Sequence, residues 1–101
     1  MWILTQNKQR IINSDQIIDI FIGKSGTKIV ANTTCYDLDA SEVVLGEYQD
    51  RDTCLEVLEH ITIGMSSNLP EIPMPLGGEI EDWAKGIENI AAINIANEFV
   101  K

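Results

Sequence analysis

The hydrophobic period changes within residues 43–61, and this change constrains the fold more than any other feature of the chain. Residues 43–48 form an apolar stretch with β-branched residues, which is typical of a strand. After an acidic turn, apolar residues recur at the helical spacing of Cys54, Leu58 and Ile61. A strand that leads directly into an amphipathic helix predicts a small domain of mixed secondary structure.

The ends of this helix are marked by residues with capping chemistry. Asp50 is placed to accept a hydrogen bond from the first free backbone N–H groups, although Thr53 with Glu56 forms a rival capping box. Gly64 suits a C-terminal cap. We therefore predict a helix over residues 51–63.

The N-terminal third has the pattern of a β-meander. Residues 2–5 and 11–12 are short apolar strands, and residues 16–22 alternate with Ile18, Ile20 and Ile22 on one face. Glycines at both ends of the segment 23–26 predict a tight hairpin turn. Residues 27–34 are then the returning strand.

A proline-rich segment separates this region from a second helix. Three prolines within residues 70–75 disfavour helix, so residues 66–78 are predicted to be an extended linker that can lie against a sheet edge. The second helix is expected from Glu79 onwards. Its apolar stripe is widened on one side by additional large residues. The stripe comprises Ile80, Ala84, Ile87, Ala91 and Ile95, with Trp83 and Ile90 beside it.

These patterns together predict an α+β fold. We expect an antiparallel sheet of four or five strands, with one helix packed on a face and a C-terminal helix after the proline-rich linker. The predicted division is an α+β domain over residues 1–75 and a C-terminal helical extension over residues 76–101. The apolar width of the second helix fits either docking on its own sheet or self-association. The candidate interaction surface comprises Trp83, Ile87, Ile90 and Ile95.

The charge pattern excludes some classes of partner. The net charge is −9, and most acids fall in residues 31–101. Direct nucleic-acid binding is disfavoured because it requires clustered cations, and no apolar run approaches the ~20 residues of a membrane span. The acids either maintain solubility or imitate a phosphate backbone.

No residue pattern predicts catalysis, a metal site or a cofactor site. Cys35 and Cys54 do not form a C-x-x-C pair and are expected to be reduced structural thiols. His60 is expected at the surface or boundary of the last helical turn. The Gly23-Lys24-Ser25 sequence lacks the preceding glycine of a phosphate-binding loop, so it is expected to be a plain turn.

The order of several short motifs resembles a family of small proteins from Firmicutes and their prophages. The chain starts with Met1-Trp2-Ile3, continues through residues 45–48 (LGEY) and 54–61 (CLEVLEHI), and reaches Met74-Pro75. The resemblance covers residues 1–75 and implies a phage-associated or mobile-element context. It implies no catalytic residues.

From these observations we expect a cytoplasmic protein, because the N-terminus has no signal-peptide pattern. The leading hypothesis is a protein–protein interaction module without catalytic activity, which self-associates through the C-terminal helix or binds an unknown protein. An acidic inhibitor of a nucleic-acid-processing enzyme and an unidentified small hydrolase are the alternatives.

Overall fold

The structure, a computed structural model, describes residues 1–34 and 42–100, with side chains described up to Asn94. The described chain has six strands and two α-helices, with single 3-10 turns at Ser14–Gln16 and Gly77–Glu79. The strands are β1 (Trp2–Leu4), β2 (Ile11–Asn13), β3 (Ile17–Ile22), β4 (Lys28–Thr33), β5 (Glu42–Glu47) and β6 (Glu71–Pro73), and the helices are α1 (Arg51–Ser66) and α2 (Ile80–Val100).

The predicted α+β class is confirmed, but the predicted single antiparallel sheet of four or five strands is wrong, because the six described strands form two three-stranded sheets. The order in the first sheet is β2-β1-β6, with β6 parallel to β1, and β3, β4 and β5 form an antiparallel meander as the second. Gln6 joins them, because its backbone N–H donates to the Leu45 carbonyl at 2.8 Å and its side chain bonds to the backbone of Glu47. The Gln6 side chain thus occupies the backbone edge of β5. In a single continuous sheet, another strand would pair with β5 at this edge.

One hydrophobic core lies between α1 and the two sheets. Ile3 of β1, Ile29 of β4 and Leu45 of β5 are fully buried there against Val57 of α1. Both sheets therefore contribute to the same core, and α1 is the element that covers it. The other buried residues of this cluster are Ile12, Ala31, Val43, Tyr48, Cys54, Ile61, Met74 and Ile80.

The carbonyl groups of the three prolines hold the linker against other elements. The Pro70 carbonyl accepts from the Trp2 N–H at 3.0 Å. The Pro73 carbonyl accepts from the Trp83 indole N–H at 2.7 Å, and that of Pro75 accepts from the Tyr48 hydroxyl at 2.9 Å. The expectation that this segment can lie against a sheet edge is confirmed by β6.

Helix α1 begins as predicted but ends later. The Asp50 carboxylate accepts from the Thr53 N–H at 2.8 Å, which confirms the N-cap. Gly64 is inside the helix, so the predicted C-cap is wrong. The helix ends instead in a Schellman motif, in which Asn68 has a φ of 57° and the N–H of Leu69 donates to the Gly64 carbonyl.

The reason for a glycine at position 64 is tertiary packing. A Cβ there would lie 2.6 Å from Cδ1 of Ile72 and 3.3 Å from Cδ1 of Leu69. Ile72 is buried in β6, so its side chain would have to shift within the packed interior to make room. The absence of a side chain therefore lets the segment after α1 fold back against the helix.

A β-bulge changes the expected alternation of β3. Ile17 pairs with Thr33 and Asp19 with Asn32, so Ile18 has no partner on β4. Ile17, Ile20 and Ile22 pack against the core, whereas Ile18 is 69% exposed. The predicted common face of Ile18 with Ile20 is therefore wrong, because the extra residue reverses the alternation.

Two glycine substitutions test the packing role of Gly64. Gly64→Ala should lower the free energy of unfolding by about 1 kcal/mol, because overpacking outweighs the gain in helix propensity. Gly86→Ala in α2 is the matched control, since an added Cβ there would meet no atom within 4 Å apart from its neighbours and the backbone of its own helix. This control should raise stability by about 1 kcal/mol. Urea denaturation of both variants checks the signs, and equal stabilisation would contradict the packing role.

Candidate functional site

Helix α2 packs against its own chain through the predicted stripe. Ile80, Ala84, Ile87 and Ala91 are all buried. The helix runs in the same direction as α1, because α2 contacts α1 at His60 through Glu88 and, further along, the Asn94 side chain donates to the Ser67 carbonyl at 2.8 Å. The stripe is thus covered by α1, by the linker and by β6 of the first sheet, since Ile87 packs on Ile72.

The four residues of the candidate interaction surface are only partly brought together. Trp83 is half-buried beside the core and bonds to the linker, and Ile87 is buried against Leu69 and Ile72. Ile90 is 46% exposed. The side chain of Ile95 lies outside the described residues. Among the described side chains of α2, the exposed large apolar residues are therefore Ile90 and Ile93.

His60 is buried between α1 and α2, so the expected surface or boundary position is wrong. Its Nδ1 lies 2.9 Å from the Glu56 carbonyl oxygen, and its Nε2 lies 2.8 Å from Oε1 of Glu88. Its ring is 6.0 Å from the ring of Trp83. The sequence gives no signal for this position, because Glu88 is 28 residues away along the chain.

Both ring nitrogens of His60 face acceptors. A carbonyl and a carboxylate oxygen can both receive hydrogen bonds only from the imidazolium, since neutral imidazole carries one N–H. Burial acts to lower the pKa of His60, but the bond to the Glu56 carbonyl and the bond and charge of Glu88 outweigh it and raise the pKa above 6.5. The contact is therefore a charge-assisted link between the two helices.

The reactive groups of the core are held in non-reactive states. Burial raises the pKa of the Cys54 thiol, and Asp50 adds to this effect. The Tyr48 hydroxyl donates to the Pro75 carbonyl, and burial raises its pKa strongly. Cys35 lies outside the described residues. Within residues 1–34 and 42–100, no group of three or more His, Cys, Asp or Glu side chains is placed to hold a metal ion.

Exposed apolar side chains gather on the outer face of the first sheet. Four apolar residues, Trp2 and Ile11 (51% and 62% exposed) with Leu4 and Pro73, line a cavity of about 120 Å³ whose lining is completed by Glu71. We call these four residues the Trp2 patch. Alternation in β1 places Ile3 inward and its neighbours outward. The sequence contains this alternation, but three residues are too few for a convincing prediction.

A second apolar area lies where α1 overhangs β3. A groove of about 310 Å³ runs between them, and we call it the β3 groove. Its exposed apolar members are Ile18 from β3 and Met65 from α1. Ile17, Asp19, Ile20, Leu58, Ile61 and Thr62 complete the lining.

In the described part of the chain, no helix is both long enough and apolar enough to cross a membrane.

Comparison with protein-family models, with curated proteins and with solved structures found no match.

The His60 pair makes stability depend on pH. Because the folded pKa is raised, this contribution is present below about pH 6.5 and is lost as the pH rises through the folded pKa. Glu88→Gln should remove most of the effect. Between pH 5.5 and 8.5 the wild-type chain should lose about 0.5–1 kcal/mol more stability than the variant, since Glu88 is half exposed. Urea denaturation at both pH values measures this, and parallel pH profiles would contradict the assignment.

Proposed function

We propose that this protein is a protein–protein interaction module without catalytic activity. It acts in the cytoplasm, in the phage-associated or mobile-element context that the resemblance of residues 1–75 implies. The net charge of −9 favours a partner with a basic surface around its contact site, because opposite charges steer association.

The observation that carries the proposal is the Trp2 patch. Large apolar residues scattered singly on a surface are ordinary, whereas a contiguous group that includes tryptophan is characteristic of binding sites. Trp2 leaves half of its side chain in water although the core beneath it is closed by Ile3. The cavity beside Trp2 and Ile11 offers a place for one apolar side chain of a partner.

Helix α2 provides the second contact in this proposal. Ile90 and Ile93 are 46% and 59% exposed and lie one turn apart. Trp83 and Ile87 support this contact from beneath by fixing α2 to the rest of the chain. Two isoleucines alone cover far less than the ~800 Å² per partner of a standard interface, so α2 contributes to the contact and does not form it alone.

Replacement of Trp2 tests the proposal. The full chain is first used to capture its partner from the native host, and the purified partner is then titrated calorimetrically. Trp2→Ser should weaken binding at least about 10-fold, because a tryptophan at the centre of an interface contributes about 2 kcal/mol or more. Val44→Ser is the control, since Val44 is also half exposed on a strand but belongs to the other sheet. Equal affinities of the two variants would contradict the proposal.

A further inference from the structure

Strand β3 has an edge with unused backbone groups. In the described residues β3 pairs with β4 only. The Gly23 N–H donates to the Lys28 carbonyl at 2.9 Å. Hydrogen-bonded positions alternate along an antiparallel pair, so the backbone groups of Gly23 and Phe21 bond to β4. Ile20 and Ile22 therefore direct their N–H and carbonyl groups away from β4, towards solvent.

The flank of α1 above this edge carries a coiled-coil pattern. Leu55, Leu58, Thr62 and Met65 follow one another at intervals of three, four and three residues, the spacing of a helix–helix seam. The last three line the β3 groove, and Leu55 and Met65 are 45% and 39% exposed. Helix α2 packs on a different side of α1, at His60.

We propose that a second copy of this chain covers both features. The β3 strands of two copies pair antiparallel about a two-fold axis at Phe21, which joins the two meanders into one six-stranded sheet. The α1 helices of the two copies then pack against each other along the seam of Leu55, Leu58, Thr62 and Met65. Self-association is thus placed on β3 and α1 and not on α2.

The backbone selects this register. A two-fold axis through Phe21 sets Ile20 opposite Ile22 of the second copy, so both residues of the pair have outward-facing backbone groups. This register also keeps the core-facing side chains of both copies on the same side of the joined sheet, because Ile20 and Ile22 both pack on the core side. A shift by one residue would set a core-facing side chain opposite an outward-facing one.

In this arrangement the charges on β3 of one copy are complementary to those on β3 of the other copy. Asp19 lies near the start of the strand and Lys24 just after its end, and both are exposed. Antiparallel pairing about Phe21 sets Asp19 of one copy opposite Gly23 of the other, one residue from Lys24, so the two opposite charges come near each other twice across the axis. A parallel arrangement would instead set like charges against each other.

The position of α1 gives the helices a suitable separation. Helix α1 contacts both β3 and β4, so its axis lies above the space between them. With strands about 4.8 Å apart, the two α1 axes would be about 10 Å apart, at the upper end of normal helix packing. Arg51 lies beside Gly26 and Met65 beside Ile17, so α1 runs opposite to β3 and the two seams meet near their middles.

The bulge at Ile18 limits the pairing. Regular strand geometry is interrupted there, which leaves residues 19–23 as the pairing segment. A short edge and a two-fold arrangement close the assembly at two copies, because the second copy uses the same edge.

Cross-linking at the axis tests the register. Phe21→Cys is introduced into the full chain together with Cys35→Ser, and diamide is used to oxidise pairs of thiols to disulfides. In a non-hydrogen-bonded pair the two Cα atoms are about 4.5 Å apart, within disulfide range, so a covalent dimer should form rapidly. Val44→Cys in the same background is the control and should remain monomeric under brief oxidation. Equal cross-linking of the two variants would overturn the proposed register.

Light scattering on charged variants tests the surface itself. The wild-type chain should form dimers when its concentration is raised to about 500 μM, because this exceeds the micromolar Kd of weak interfaces of this kind. Leu55→Glu with Met65→Glu should give monomers, whereas Ile90→Glu with Ile93→Glu, which also adds two acids at exposed helix positions, should leave the dimer intact. A monomeric wild-type chain, or dimers lost only in the second variant, would overturn the proposal. The Trp2→Ser variant should still dimerise, so failure of this inference and failure of the proposed function are distinguishable.

Discussion

The carbonyl groups of the proline-rich segment hold this structure together. Proline has no N–H to donate, but its carbonyl remains an acceptor, and each of the three prolines uses it on a different element. These bonds reach β1, the end of β5 and α2. The same segment pairs with β1 as β6 and inserts Ile72 against Gly64 of α1. This segment thus adds to the contacts that Gln6, the shared core and the His60–Glu88 pair already make between the sheets and the helices.

The proposed surfaces lie where the packing of the sheets and helices leaves apolar residues or a strand edge uncovered. The first sheet is covered on its inner face only, which leaves Trp2 and Ile11 outside. The second sheet has three strands, yet α1 extends beyond β3 and leaves a groove where a further strand would lie. The Trp2 patch and the edge of β3 belong to different sheets. Binding of a foreign protein and self-association are therefore compatible in one molecule.

His60 and Glu88 show how the helices are fixed to each other. His60 is buried, and charging its ring costs desolvation that the carbonyl of Glu56 and the carboxylate of Glu88 offset. This link joins α1 to α2 at a point where Trp83 also approaches the His60 ring. The outward position of Ile90 depends on this docking, because rotation of α2 would expose the buried stripe.

Local chemistry was readable from the sequence wherever neighbouring residues decide the outcome. The N-cap at Asp50, the period of α1, the hairpin after β3 and the buried stripe of α2 all depend on residues within a few positions of one another. Long-range contacts decided the rest. Position 64 inside α1 is a glycine because Ile72 occupies the space that a Cβ would need, and His60 is buried because α2, which carries Glu88, packs against it.

The division into two sheets and the exposure of Trp2 likewise came only from the tertiary structure. A strand pattern specifies which face is apolar, but the partner of each edge is set by elements distant in the chain. Here Gln6 occupies the edge of β5 and β6 takes the edge of β1. The sequence by itself determined most strand and helix segments, because their hydrophobic period is local, but it did not determine β6 or the end of α1. Only the folded chain decided which apolar residues remain in contact with water, because that depends on what packs over them.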